Sequence, residues 1–335
     1  MSRFFWTLML ALGLTTHSQA EILVTKTFNG DWIQVDSTEW DKGKNPVGFT
    51  PKGTTLGYTV VHNDAGTGVG FDDPIYGPDR LATVNAVLDY IDSILLDDGQ
   101  LDVEFDQSLV DDTQSILASA GPFFPSGPNG VEPGRAFTHI TTGIDPSPSV
   151  PDIHVTVNFG FKWNSETDDP AGDEFDLYSV LLHELTHGLG FLSLIDSDGT
   201  SKITKTNPGV YATFDLYLRT GGGKILMSPS GEFLGTAMDI TGRDGGVFFH
   251  GGSATDLLGS IPGILAPFTW RPGSSLSHWA SSNPGQSVMI SGLPSGMKRR
   301  LYFPYELGAL YDLGYQVDLP QQPVTFEVSN WFAYE

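Results

Sequence analysis

Apolar positions recur along the chain in two rhythms. Leu81, Val84, Val87, Leu88, Ile91, Ile94 and Leu95 follow an i, i+3, i+4, i+7 spacing, which predicts an amphipathic helix of about four turns. Leu101, Val103 and Phe105 alternate with acids, as a half-buried strand does. Ile153, Val155, Val157 and Phe159 alternate with His154, Thr156 and Asn158, which predicts a second strand over 152–161 and turns His154 outward. Asp176 can cap a helix that carries Val180, Leu181, Leu182, Leu185 and Leu189 and stops at Gly188 or Gly190. Pro304 to Gly314 predicts a last helix, and Val324, Phe326 and Val328 a last strand. The span 21–62 is strand-like, 63–78, 121–135 and 165–174 read as loops, and 197–275 as turns and short strands. No internal repeat interrupts this order. The expectation is one α+β domain over 21–335, with an N-terminal subdomain of about 21–190 and a loop-rich C-terminal subdomain of about 191–335.

The first twenty residues change the picture of where the chain works. Arg3 precedes an apolar stretch from Phe4 to Leu14, and Ser18-Gln19-Ala20 supplies small residues before a cut. This is the layout of a secretory signal peptide. Eleven residues are too few to cross the ~30 Å hydrocarbon core as a helix. The expectation is an exported protein, extracellular or periplasmic, with no membrane span. Cysteine is absent, which excludes disulfides, a cysteine nucleophile and thiolate metal sites. The formal charge of −23 argues against a nucleic-acid partner. It also favours a neutral or positively charged substrate.

The chemistry concentrates in His183-Glu184-Leu185-Thr186-His187. Residues four apart share one helix face, so both imidazoles can grip a single cation. Glu184 stands beside them, where it can act as a general base toward water. Zinc suits two such histidines, because it takes imidazole nitrogen at ~2.0 Å and lowers the pKa of a bound water toward ~7. A catalytic zinc needs a third protein ligand. In the commonest extension of the motif that ligand would be residue 193, which is Ser193, a poor ligand. His62, His139, His154, His250 and His278 remain as candidates. His278 lies before Trp279 and eleven residues ahead of Met289, whereas His250 lies in a Phe-Phe-His-Gly-Gly loop. Spacing alone does not separate those two; His62 and His139 read as structural.

The segments His183 to Phe191, His278-Trp279, Met289 and Pro304 to Gly314 together resemble the metzincin metallopeptidases, most closely the leishmanolysin-type branch. Asp312-Leu313-Gly314-Tyr315 is similar to an ending seen in related bacterial secreted proteins. The resemblance implies a metzincin-like zincin fold, with a mixed twisted sheet and an active-site helix. It implies one catalytic zinc held by His183, His187 and His278, with Glu184 as the general base and Met289 as an apolar floor. It implies a protein or peptide substrate, laid against an edge strand that the order of the chain puts at 152–161. Two departures stand out. Ser291 occupies the place where some branches carry an extra tyrosine ligand, and without cysteine no thiol latency device exists. The expected function is a secreted zinc endopeptidase; the alternative is a secreted zinc-binding protein without turnover. Glu166 to Asp169 and Asp196 to Gly199 could bind calcium through carboxylate oxygens. Neither completes a calcium-loop pattern, and a solvated acidic surface is the plainer reading.

Overall fold

The computed structural model describes residues 22–26, 31–36, 47–49, 55–283 and 286–320. The expected signal peptide and the strand expected around Val324 lie outside these residues. Strands of the first half are β1 (Ile22–Lys26), β2 (Trp32–Asp36), β3 (Val47–Phe49), β4 (Gly57–His62), β5 (Gln100–Phe105), β6 (Ala118–Pro122), β7 (Phe124–Pro125), β8 (Gly130–Glu132) and β9 (Ile153–Val157). The helices are α1 (Gly77–Ile94), α2 (Arg135–Thr142), α3 (Leu177–Gly188), α4 (Gly252–Leu258) and α5 (Pro304–Leu313). The chain is therefore a mixed α+β protein. None of the described helices is long and apolar enough to cross a membrane.

The central sheet has the order β3-β4-β5-β9-β6. β4, β5 and β9 run parallel, and β3 and β6 are antiparallel to their neighbours at the two edges. The parallel β4–β5 step requires a crossover, which α1 supplies. The predicted rhythm of α1 is the face it buries: Val84, Val87, Leu88, Ile91 and the following Leu95 are in the core. Each such side chain contributes about 1.5–3 kcal/mol by leaving water. α3 packs beside α1 against the sheet, with Leu177, Leu181, Leu182 and Leu185 fully buried. Gly188 lets this helix touch β9, since a Cβ there would stand 2.3 Å from Ile153 Cδ1.

Three expectations need correction. The segment 152–161 does not form an edge: β9 lies between β5 and β6, and β6 is the edge on that side. The sequence Ala118-Ser119-Ala120-Gly121-Pro122 has no β-branched residue, so pairing with β9 rather than propensity makes it a strand. His154 does not face outward; it is 6% exposed. The N-terminal strand covers that face of the sheet, with Thr25 Oγ1 2.9 Å from His154 Nε2 and Asp106 Oδ2 2.7 Å from Nδ1. The segments expected as loop and as turns hold ordered elements: β7 and β8 lie within 121–135, and α4 within 197–275. α2 follows Gly134 and ends at Gly143 in a left-handed C-cap, and α4 has its N-terminus capped from a distance by Asp312, which accepts from the amides of Ser253 and Ala254 at 2.9 Å each.

Candidate metal centre

α3 presents His183, Glu184 and His187 because both of its ends are anchored. Asp176 Oδ2 accepts from the Ser179 amide at 3.0 Å as an N-cap, and Arg300 clamps the same buried carboxylate. At the C-terminus Gly190 adopts φ +94°, a conformation that suits glycine, and the chain turns back toward Phe191. Tyr315, from the Asp-Leu-Gly-Tyr ending, donates its hydroxyl to the Leu189 carbonyl at 3.0 Å.

That turn brings His278 to the two helical histidines. His278 Nε2 lies 3.2 Å from His183 Nε2 and 3.3 Å from His187 Nε2. Each Nδ1 faces a backbone carbonyl at 2.8 Å: Val288 for His183, Phe191 for His187 and Ser274 for His278. A carbonyl only accepts, so each Nδ1 carries the ring proton, and each Nε2 of a neutral ring offers a lone pair. Burial keeps the rings neutral by pushing His183 down to about 4, His278 to about 3 and His187 well below the ordinary value. Three lone pairs then converge with no proton between them, an arrangement that repels itself until a cation sits among them. Nitrogens ~2.0–2.1 Å from one tetrahedral centre stand about 3.3–3.4 Å apart, so the donor set fits a small divalent ion. The three histidines are a cluster able to hold a metal.

Glu184 is buried beside them. The Ala120 amide of β6 donates to its Oε2 at 3.0 Å. Burial raises its carboxyl to about 7, against the opposing pull of the Lys26 ammonium and that N–H. In the metal-free protein the folded state thus holds a proton that the unfolded chain releases near the ordinary carboxylate value. The stability this gives is present below about pH 4.5 and is lost as pH rises through about 7. Metal-free wild type should therefore lose about 2–3 kcal/mol between pH 4.5 and 8 relative to metal-free Glu184→Gln. Parallel denaturant titrations across that range measure it, and identical pH slopes would contradict it.

A residue the sequence reading passed over holds the site's far wall. Glu306, on α5 and 2% exposed, accepts from the Met289 amide at 3.0 Å and from those of Val288 and Phe303 at 3.1 and 3.0 Å. The turn it grips is the one whose Val288 carbonyl takes the His183 proton. Met289 is fully buried there, and its carbonyl accepts from the Trp279 amide at 2.9 Å, next to His278. Glu306→Gln should weaken metal binding about 10- to 100-fold, the usual cost of disturbing a ligand's own support, while the fold persists. Metal titration with a chromogenic chelator competitor, beside a thermal melt, separates lost affinity from lost folding.

The other candidates lie elsewhere. His62 stacks on Phe105 and meets Phe71 at a tilt in the core. His139 Nδ1 lies 2.8 Å from Asp152 Oδ2; Asp102 and Asp145 are also close to it, and its ring is held up by these charges against burial. We read that knot as an ion pair. His250 follows the strand Val247–Phe249, outside the metal cluster. Ser193 is no ligand either: its hydroxyl accepts from the Ile195 amide at 3.2 Å, and its own amide donates to Ser277 Oγ at 3.0 Å. In the acidic segment 166–169 the carbonyls of Glu166, Thr167 and Asp168 accept from the Arg300 guanidinium, which fills the place of a cation. Asp196 and Asp198 cap their own turn through Ser197 and Thr200.

A cleft of about 860 Å³ opens in front of the histidines, bounded by Ser115–Ser119 at the β6 edge and by Ile290–Ser295 opposite. Compared with protein-family models, with curated proteins and with solved structures, the chain matches none.

Proposed function

We propose that the chain is a secreted zinc-dependent endopeptidase of metzincin type, with His183, His187 and His278 as zinc ligands and Glu184 as general base. The observation that carries the reading is the convergence of three unprotonated Nε2 atoms beside a buried carboxylate at the floor of an open cleft. Zinc bound there would acidify a water and polarise a peptide carbonyl. The chain's own residues do the rest. Glu184 receives a proton on its carboxylate and returns it to the departing amine. The Ala120 amide fixes Oε2, and Glu184 lines the cleft in which that transfer would take place. The outer edge of β6 offers backbone groups on which an extended peptide can add as a further strand. Val288, Phe191 and Ser274 keep the three rings aimed.

The test is metal content together with casein or gelatin zymography of the purified protein, with and without a chelator. About one zinc per chain, a cleared band, and loss of that band on chelation with recovery on zinc are the expected results. Stoichiometric zinc without clearing at any pH would instead favour a binding protein without turnover. Absence of stoichiometric metal would remove the reading altogether.

A further inference from the structure

We propose that the cavity next to His187 is a substrate subsite that takes an acidic side chain, with Lys202 as the group that meets its carboxylate. The proposal rests on the reading of the chain as a peptidase and adds the class of residue it selects. The cavity, about 240 Å³, adjoins the metal centre through His187 and the edge strand through Ala120 and Pro122. A peptide laid along β6 past the histidines would therefore drop one side chain into it. The volume suits a single side chain rather than a larger group.

The lining reverses the character of the molecule. The chain has 40 acidic and 17 basic residues. Among the described residues, the cavity and the cleft share Lys26, and add Lys202 and Lys205 on one side and Arg299 on the other. Only Asp31, Asp196 and Glu184 oppose them. A surface with the overall composition would bring more than twice as many acids as bases. Acids are thus depleted where substrate would lie, which focuses a field favourable to anions at that point.

Lys26 is shared with the cleft, and of the two bases confined to the cavity Lys202 is the one placed to bind. Lys205 pairs with Asp196 at 3.3 Å, and Arg299 gives its guanidinium to the carbonyls of Ile290 and Gly292. Lys202 Nζ donates to the Ser193 carbonyl at 2.8 Å and stands 5.9 Å from the centre of the Trp270 ring. An ammonium has three donors, and no other hydrogen bond to Nζ is found among the described residues. Nearby Asp215 has its Oδ2 committed to the amides of Leu194 and Ala212 at 3.0 Å each. Trp32, Leu192 and Trp270 supply apolar walls for the methylenes of a glutamate or aspartate. Burial lowers the Lys202 pKa to about 8, and Asp215 and Asp196 act against that, so the ammonium persists at neutral pH.

The experiment uses the zinc-loaded full chain. Cleavage-site profiling on a proteome-derived peptide mixture should show Glu and Asp enriched at one position flanking the scissile bond. A matched peptide pair differing only in Glu or Gln there should differ roughly 10- to 100-fold in kcat/KM, the scale of a charge-assisted hydrogen bond. Lys202→Met should collapse that ratio toward one, and Lys162→Met, at the surface, should preserve it. Equal handling of the pair by wild type, or a preference that survives Lys202→Met, overturns the proposal. Wild type alone decides the first outcome, so a variant that fails to fold leaves the test intact. Peptide binding to zinc-loaded Glu184→Gln, read by fluorescence anisotropy with Glu- and Gln-centred decapeptide pools, needs no turnover. A Glu preference there with no cleavage by wild type would retain the subsite and sink the peptidase; no preference would sink the subsite.

Discussion

His278→Ala should abolish stoichiometric metal binding while leaving the fold intact. The ring supplies one of three Nε2 donors, and its neighbours His183 and His187 are held by α3 whether or not it is present. A structural zinc site is worth about 10–16 kcal/mol over its full ligand set, so one ligand carries roughly 3–4 kcal/mol, or about 10²- to 10³-fold in affinity. The fold loses little. Trp279, Leu265 and Met289 bind the backbone beside residue 278, not its ring: the Leu265 amide donates to the His278 carbonyl at 2.8 Å. His250→Ala is the matched control, since that residue stands outside the cluster. Elemental analysis after dialysis against a zinc buffer set about tenfold above the wild-type dissociation constant decides the matter. Full retention of metal by His278→Ala, or loss of it in His250→Ala, would mean that the ligand set is wrong.

The helical half of this centre was legible from residue spacing, because two imidazoles four apart on a helix must share a face. His278 was legible only through its neighbours, Trp279 and the later Met289, since nothing local links a loop histidine to a helix ninety positions earlier. What stayed hidden has a common cause: it depends on pairing between distant segments. β6 carries small residues and a proline, and becomes an edge strand only when β9 is there to pair with it. His154 sits on an alternating strand and would be solvated if β1 did not cover it. α2 begins among glycines and prolines that signal loop. Glu306 reads as one of two acids on a mostly apolar helix, yet its carboxylate is the anchor of the turn behind His183. The carbonyls of Val288, Phe191 and Ser274, which set all three tautomers, have no side-chain signature at all. Total charge does not reveal how charge is distributed. The chain totals −23, whereas Lys26 and Arg299 line the cleft and Lys26, Lys202 and Lys205 the adjoining cavity, against Asp31, Glu184 and Asp196.

Glu184→Gln should keep the metal and lose the chemistry. The amide is isosteric, and its carbonyl oxygen can still accept from the Ala120 N–H that now meets Oε2. No ring proton of the three histidines goes to Glu184, because each is given to a backbone carbonyl. The metal ligands should therefore be undisturbed, with zinc content and thermal melt of the loaded protein close to wild type. Gln has no proton affinity in the working range, so it can neither take a proton from water nor deliver one to the leaving amine. A positioned general base contributes about 10²- to 10⁴-fold, and kcat should fall by that factor with KM changed little. Hydrolysis of a quenched peptide under single-turnover conditions, beside metal analysis of the same sample, measures both quantities. Zinc-loaded Glu184→Gln that still cleaves at the wild-type rate would assign the proton transfer to another group. Loss of zinc from this variant would instead show that the carboxylate helps to hold the ion, and the two outcomes are read from one preparation.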